Sequence, residues 1–296
     1  MKLATLSGVL DEKFEVSRIK EDWSFAFDNL VPNQRMTESF KRSSVGLFMA
    51  PGEEVTKIYT ACFPGRFVLS EIEKRGTKDV LLITKHPFDW DGKRGFIPFQ
   101  DDEIELIKRL RINIYSLHTP LDKCRNESGL FSTAYSFAKA IGLKPEGEFA
   151  SAGKLNPSMR IGVYGRIIDQ DISILSRSIS ARIRHDVKVF NHSPNPVRKV
   201  GIVTGGGSER ELIVEAKGLG IDTYITGVTH PNPERPSSVE QTAEFFATAK
   251  KFNINVIGAS NYLTEKFALE LSMPYFSRLG VPAEFIEDLE AWNRLD

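Results

Sequence analysis

The 296-residue sequence contains only two cysteines, Cys62 and Cys124, without CxxC spacing or the repeated pattern of a disulfide framework. That scarcity suits a reducing compartment, and both thiols read as small buried hydrophobes. No apolar run approaches the length of a membrane span. Met1 to Val9 also lacks the apolar core, basic flank and small-residue cleavage site of a secretory leader. The expectation is therefore a soluble cytoplasmic protein with no membrane partner. Charge of one sign is missing too: 39 Lys and Arg balance 39 Asp and Glu. Without a basic field to neutralise phosphate backbones, nucleic acid is not an expected partner. There is no short-period repeat and no low-complexity tract.

What is present is alternation. Val55 to Phe63, Val80 to Thr84, Ile112 to Leu117, Arg160 to Arg166, Val200 to Thr204, Thr223 to Thr226 and Asn255 to Ala259 are short β-branched or apolar runs that predict strands. Between them Arg66 to Lys74, Asp101 to Leu110, Ser128 to Ile141, Ile172 to Ile183, Ser208 to Lys217 and Ser237 to Lys251 space their apolar residues as helices do. The pattern predicts an α/β fold with parallel or mixed sheets, and the length suits two domains. Gly142 to Pro157, rich in Gly, Pro, Ser and Lys, is expected to be a loop-rich start of the second domain, and the proline-rich His230 to Ser238 a functional loop. The expected division is 1–125 with 252–296 for the first domain and 126–251 for the second, because the chain end must return to meet two earlier motifs.

Those motifs are Thr84-Lys85-His86-Pro87-Phe88 and His118-Thr119-Pro120-Leu121-Asp122, each just past a predicted strand. The third is Asn261-Tyr262-Leu263-Thr264-Glu265, at the start of the last helix. Strand ends and helix starts gather at one edge of an open sheet, so His86, Asp122 and Glu265 are expected to converge as ordinary ligands for a divalent cation. Asn261 and Glu265, four apart, share a helix face. Each position has a plainer reading: His86 as a hydrogen-bonded strand end, Asp122 as a helix N-cap, and Glu265 as a surface carboxylate beside Lys266. His118 reads as a hydrogen-bonding partner inside the site, and His230 as a proton carrier or an ordinary loop residue. His185 and His192 fall in a polar, basic stretch read as a solvated face. Gly205-Gly206-Gly207-Ser208 reads as an anion cradle or, more simply, as a tight turn with Ser208 as N-cap.

The ordered set of motifs resembles the GTP cyclohydrolase I type 2 family, also called the NGG-interacting factor 3-like family. It comprises Asp28-Asn29 with Gly46-Leu47, Ile83 to Phe88, His118 to Asp122, Thr204 to Gly207 with Ile225-Thr226-Gly227, and Asn261 to Glu265. The resemblance implies two α/β domains facing each other across a cleft, a dinuclear metal site there, and a ring-shaped homo-oligomer, often a hexamer. Carried over by position, the ligands are Lys85, His86, Asp122, Asn261 and Glu265. Lys85 and Asn261 stand where the family pattern expects imidazoles. An ammonium has no lone pair to give, and an amide oxygen is a weak ligand.

Two functions from different classes follow. The first is a metal-dependent hydrolase acting on a small-molecule substrate, a nucleotide or related phosphorylated compound. Here one cation (zinc, manganese or iron) is held by His86, Asp122 and Glu265, with His118 or His230 as acid or base. The second is a metal-free, non-catalytic or regulatory scaffold in which the Lys85 ammonium sits between Asp122 and Glu265 and relieves their repulsion.

Overall fold

The structure is a computed structural model and describes residues 1–22, 35–91, 95–124, 131–232 and 236–289. Asp28-Asn29, the predicted helix start at Ser128, the expected boundary at 125/126 and part of the His230 to Ser238 loop lie outside these residues. The chain forms two compact units: Met1–Asp91, Gly95–Leu121 and the segment from Leu269 onward make the first, and Asp122–Ala268 the core of the second.

The first unit is built on five strands: β1 (Gly46–Met49), β2 (Lys57–Ala61), β3 (Val80–Thr84), β6 (Ile112–Ser116) and β13 (Ala283–Phe285). They stand in the order β1-β6-β3-β2-β13. β13, β2, β3 and β6 run parallel, and β1 pairs antiparallel with β6. All five residues of β3 (Val-Leu-Leu-Ile-Thr) are buried, as a central strand covered on both faces requires. Helix Arg66–Lys74 follows β2 and helix Asp101–Leu110 precedes β6, both with the predicted limits. A capping box closes the start of the second: the Gln100 N–H donates to Glu103 Oε2 at 2.7 Å. Acidic residues fill its first turn and basic ones its last, which suits the helix dipole. β4 (Asp89–Asp91) and β5 (Gly95–Ile97) form a separate antiparallel pair.

The second unit carries β7 (Gly147–Ser151), β8 (Arg160–Gln170), β9 (Lys188–Phe190), β10 (Val197–Val203), β11 (Thr223–Thr226) and β12 (Asn255–Gly258). Their order is β7-β8-β10-β11-β12-β9. β10, β11 and β12 are parallel, while β7, β8 and β9 are antiparallel to their neighbours. Helices Arg210–Gly218 and Pro236–Lys251 make the two crossovers between the parallel strands. The core joins Phe149, Val203, Ile213, Tyr224, Phe245 and Val256.

The fold class is the expected mixed α/β. The division differs from expectation, because β12 hydrogen-bonds to β11 from Thr223↔Asn255 to Thr226↔Gly258 and so belongs to the second sheet. What returns to the first sheet is β13, pairing with β2. Gly142 to Pro157 contains β7 rather than only loop, and the supposed solvated stretch contains β9. Among the described residues no helix is long and apolar enough to cross a membrane.

The β7–β8 pairing leaves a test. A Cβ on Gly165 would lie 2.2 Å from the Lys144 carbonyl oxygen, whereas one on Gly206 would meet nothing within 4 Å. Gly165→Ala is expected to cost about 1–3 kcal/mol, and Gly206→Ala to leave the melting temperature unchanged. Equal melting temperatures by circular dichroism would contradict this.

Candidate functional site

In the first unit the ends of β3 and β6 present imidazoles. The β2–β3 ladder continues past Thr84: the Lys85 N–H donates to Ala61 O at 3.3 Å and the His86 N–H to Cys62 O at 3.0 Å. These bonds, with the Thr84 hydroxyl donating to His86 O at 2.6 Å, fix both residues beyond the strand. Lys85 is 0% exposed. The His86 ring stacks on Phe63, centroids 4.4 Å apart and nearly coplanar in orientation, and lies 5.0 Å from the ring of His118.

His118 opens the short helix His118–Asp122, and its Nδ1 stands 3.1 Å from Glu21 Oε2. The same carboxylate accepts the Thr119 N–H at 2.6 Å. A carboxylate facing Nδ1 favours the tautomer with the proton there. Glu21 was not singled out from the sequence, since Lys20-Glu21-Asp22 reads as a surface charge run. Only its pairing with residues nearly 100 positions later reveals it.

In the second unit Asp122, Asn261 and Glu265 share one hydrogen-bonded frame. Asp122 ends its helix rather than starting one, and the next helix, Thr133–Ile141, is capped by Ser132, so the N-cap reading does not apply. Its Oδ1 accepts from the Thr133 hydroxyl at 3.0 Å, and that hydroxyl accepts from Thr204 Oγ1 at 2.7 Å. Thr204 leads into Gly205, at φ +64°, where a Cβ would lie 2.5 Å from Glu265 Oε1 and 3.4 Å from Asn261 Oδ1. Glycine is needed twice there, for the left-handed backbone and for the space. Glu265 is 2% exposed, so its reading as a surface carboxylate fails; the Asn261 Oδ1 is buried without a hydrogen-bond partner.

The glycine turn is not an anion cradle at Gly205. Its N–H donates to Thr264 Oγ1 at 3.1 Å, and its carbonyl accepts from the Gly227 and Val228 N–H groups at 3.1 and 2.9 Å. Ser208 is not an N-cap either; its hydroxyl donates to Val228 O, and Glu209 precedes helix Arg210–Gly218. His230 and His185 lie in the second unit, both half-buried and lining one pocket. Cys62 and Cys124 are free and buried. Burial, then the Glu148 carboxylate, pushes the Cys124 thiol far above its ordinary range, which leaves it inert.

Of the expected ligands, His86 belongs to the first unit, and Asp122 and Glu265 to the second. Among the described residues no three His, Cys, Asp or Glu side chains are gathered so as to hold a metal ion. Lys85 offers an ammonium and Asn261 a neutral amide oxygen, and neither is the imidazole or carboxylate that a dinuclear centre needs. The Asn261 oxygen, buried without a hydrogen-bond partner, and Glu265 Oε1 both border the space that the missing Gly205 side chain leaves.

Two curated relatives are named GTP cyclohydrolase 1 type 2 homolog. The protein of Borreliella burgdorferi is 28% identical over 190 residues, covering 64% of this chain and 66% of the relative. The protein of Archaeoglobus fulgidus is 28% identical over 250 residues, covering 83% and 89%. Among solved structures, the protein ybgI, of unknown function, superposes with a TM-score of 0.70 at 20% identity over 97% of this chain and 98% of its own. Reduced HcgD from Methanocaldococcus jannaschii gives 0.63 at 20% identity over the same shares. These two likenesses support the fold. Residues 22–287 match the family model Duf34/NIF3 (NGG1p interacting factor 3), and the chain belongs to that family.

Proposed function

We propose that this chain carries a reduced form of a hydrolase-type metal centre, holding at most one divalent cation. Its proposed substrates are nucleotides or related phosphorylated small molecules. The carrying observation is Lys85: it is completely buried beside His86, and a buried ammonium repels any cation brought near it. The substrate class rests on the curated relatives' name, GTP cyclohydrolase 1 type 2 homolog. His86, Asp122 and Glu265 are the proposed ligands; a bound ion would supply an activated water and polarise the attacked atom. His118, with Nδ1 held by Glu21, is the proposed proton carrier through Nε2. The proposed setting is the cytoplasm, where two free thiols stay reduced.

A second reading has its own observation. A fully buried ammonium is costly without anionic partners, so Lys85 itself meets the chemistry of a resident cation for buried carboxylates such as Glu265. In that reading the protein is a metal-free scaffold.

Elemental analysis of protein purified without added metal or chelator is expected to give no more than one ion per chain. Lys85→His combined with Asn261→His is expected to raise the content toward two. Two tightly bound ions in the unmodified protein would overturn the reduced-centre reading. Less than about a tenth of an equivalent, with a melting temperature that chelator leaves unchanged, selects the scaffold.

We further propose a symmetric homo-oligomer, with a hexamer as the expected state. Light scattering at micromolar concentration is expected to return a multiple of 33.3 kDa. The mass of a single chain would contradict it.

A further inference from the structure

We propose that the second unit carries an oxyanion site with the chemistry of a phosphate group, at the C-terminal ends of β11 and β12. A pocket of about 290 Å³, its open mouth included, lies there, and Ser260, His185, Lys188 and His230 line it together with Gly227 and Gly258. All of these belong to the second unit, and none is among the ligands proposed for the centre above.

Ser260 is the decisive residue. Its carbonyl accepts from the Thr264 N–H at 3.1 Å, so it stands at the head of the 11-residue helix Asn261–Leu271. A serine there ordinarily has extended backbone and turns its hydroxyl onto the first helical N–H groups. Ser260 instead has φ +67°, is only 6% exposed, and its hydroxyl has no hydrogen-bond partner. A buried hydroxyl in a pocket wall, at the positive end of a helix dipole, is a donor waiting for an acceptor.

The other walls supply the same polarity. β9 runs beside β12 with Lys188 opposite Gly258, which brings an ammonium to the pocket. His185 precedes β9 and His230 follows β11, and both line the pocket. Asp186, the one acidic lining residue, and Lys188 are both exposed, so their opposite charges are screened alike and the buried Ser260 hydroxyl carries the site. Parallel strands that end in a crevice beneath a helix N-terminus are the usual place for such a group.

The test is calorimetric titration of the full-length protein with inorganic phosphate and, in a second arm, with glycerol phosphate, both in the presence of EDTA. Saturable binding of about one equivalent is expected. Ser260→Ala and His230→Gln are each expected to weaken it about tenfold, the scale of one hydrogen bond to a charged group. His192→Gln, outside the pocket, is expected to leave it unchanged. Tighter binding of glycerol phosphate assigns the site to organic phosphates, and equal binding to the free ion. Absence of saturable binding overturns the proposal, as does binding indifferent to both pocket variants when each melts like the parent protein. Binding found only in a parallel titration without EDTA also overturns it and leaves the metal-centre reading standing.

Discussion

The backbone of Gly205 holds the second unit's candidate site together. Its N–H is bound by Thr264 in the last long helix, and its carbonyl by the Gly227 and Val228 N–H groups after β11. Its missing side chain leaves room for the Glu265 carboxylate. One residue thus joins the ends of two parallel strands to the helix that carries Asn261 and Glu265. The preceding Thr204 extends the connection through Thr133 to Asp122. Thr133, Thr204 and Thr264 in this frame are each held by a hydrogen bond to a neighbour, which limits the reorganisation needed to hold a ligand. Any larger residue at 205 would displace the carboxylate before it changed the sheet.

The first unit solves a different electrostatic problem. Lys85 is fully enclosed, next to an imidazole whose ring is fixed by Phe63 and faces His118. Burying an ammonium is several kcal/mol unfavourable unless anions compensate it, so a lysine at this position makes a strong electrostatic demand on its surroundings. A metal ion is lost or gained with solution conditions, while a lysine is a permanent tenant. The Glu21 carboxylate next to His118 shows the same economy: one side chain satisfies a ring nitrogen and the Thr119 amide together.

Elements with strong local signals were legible in the sequence. β3, with five apolar or β-branched residues, and the helices Arg66–Lys74, Asp101–Leu110 and Ile172–Ile183 have the predicted limits. The elements that escaped are short or owe their form to a partner. β7, Gly-Glu-Phe-Ala-Ser, has little strand propensity and exists because the long β8 offers it an edge; β9 and β13 span three residues each and are defined by β12 and β2. The family was visible as an ordered set of motifs. Glu21 and the pocket at Ser260 were not, because their meaning lies in contacts between distant segments. Ser260 looked like an ordinary serine before a helix, and only its backbone angle and unsatisfied hydroxyl set it apart.

The frame also explains how position 261 can change chemistry without changing the fold. A Cβ on Gly227 would come within 2.8 Å of both the Asn261 Cα and Thr264 Oγ1, so the helix backbone is pressed directly onto the strand end. The Asn261 carbonyl accepts from the Thr264 hydroxyl at 3.0 Å, and that hydroxyl in turn accepts from Gly205. The constraints at this residue therefore run through main-chain atoms, and its side chain contributes no hydrogen bond through Oδ1. Glu265 is different, because its carboxylate occupies the space that Gly205 leaves. Packing therefore ties down the identity of Glu265 more tightly than that of Asn261, whose side chain can be exchanged while the main-chain contacts that seat the helix stay in place.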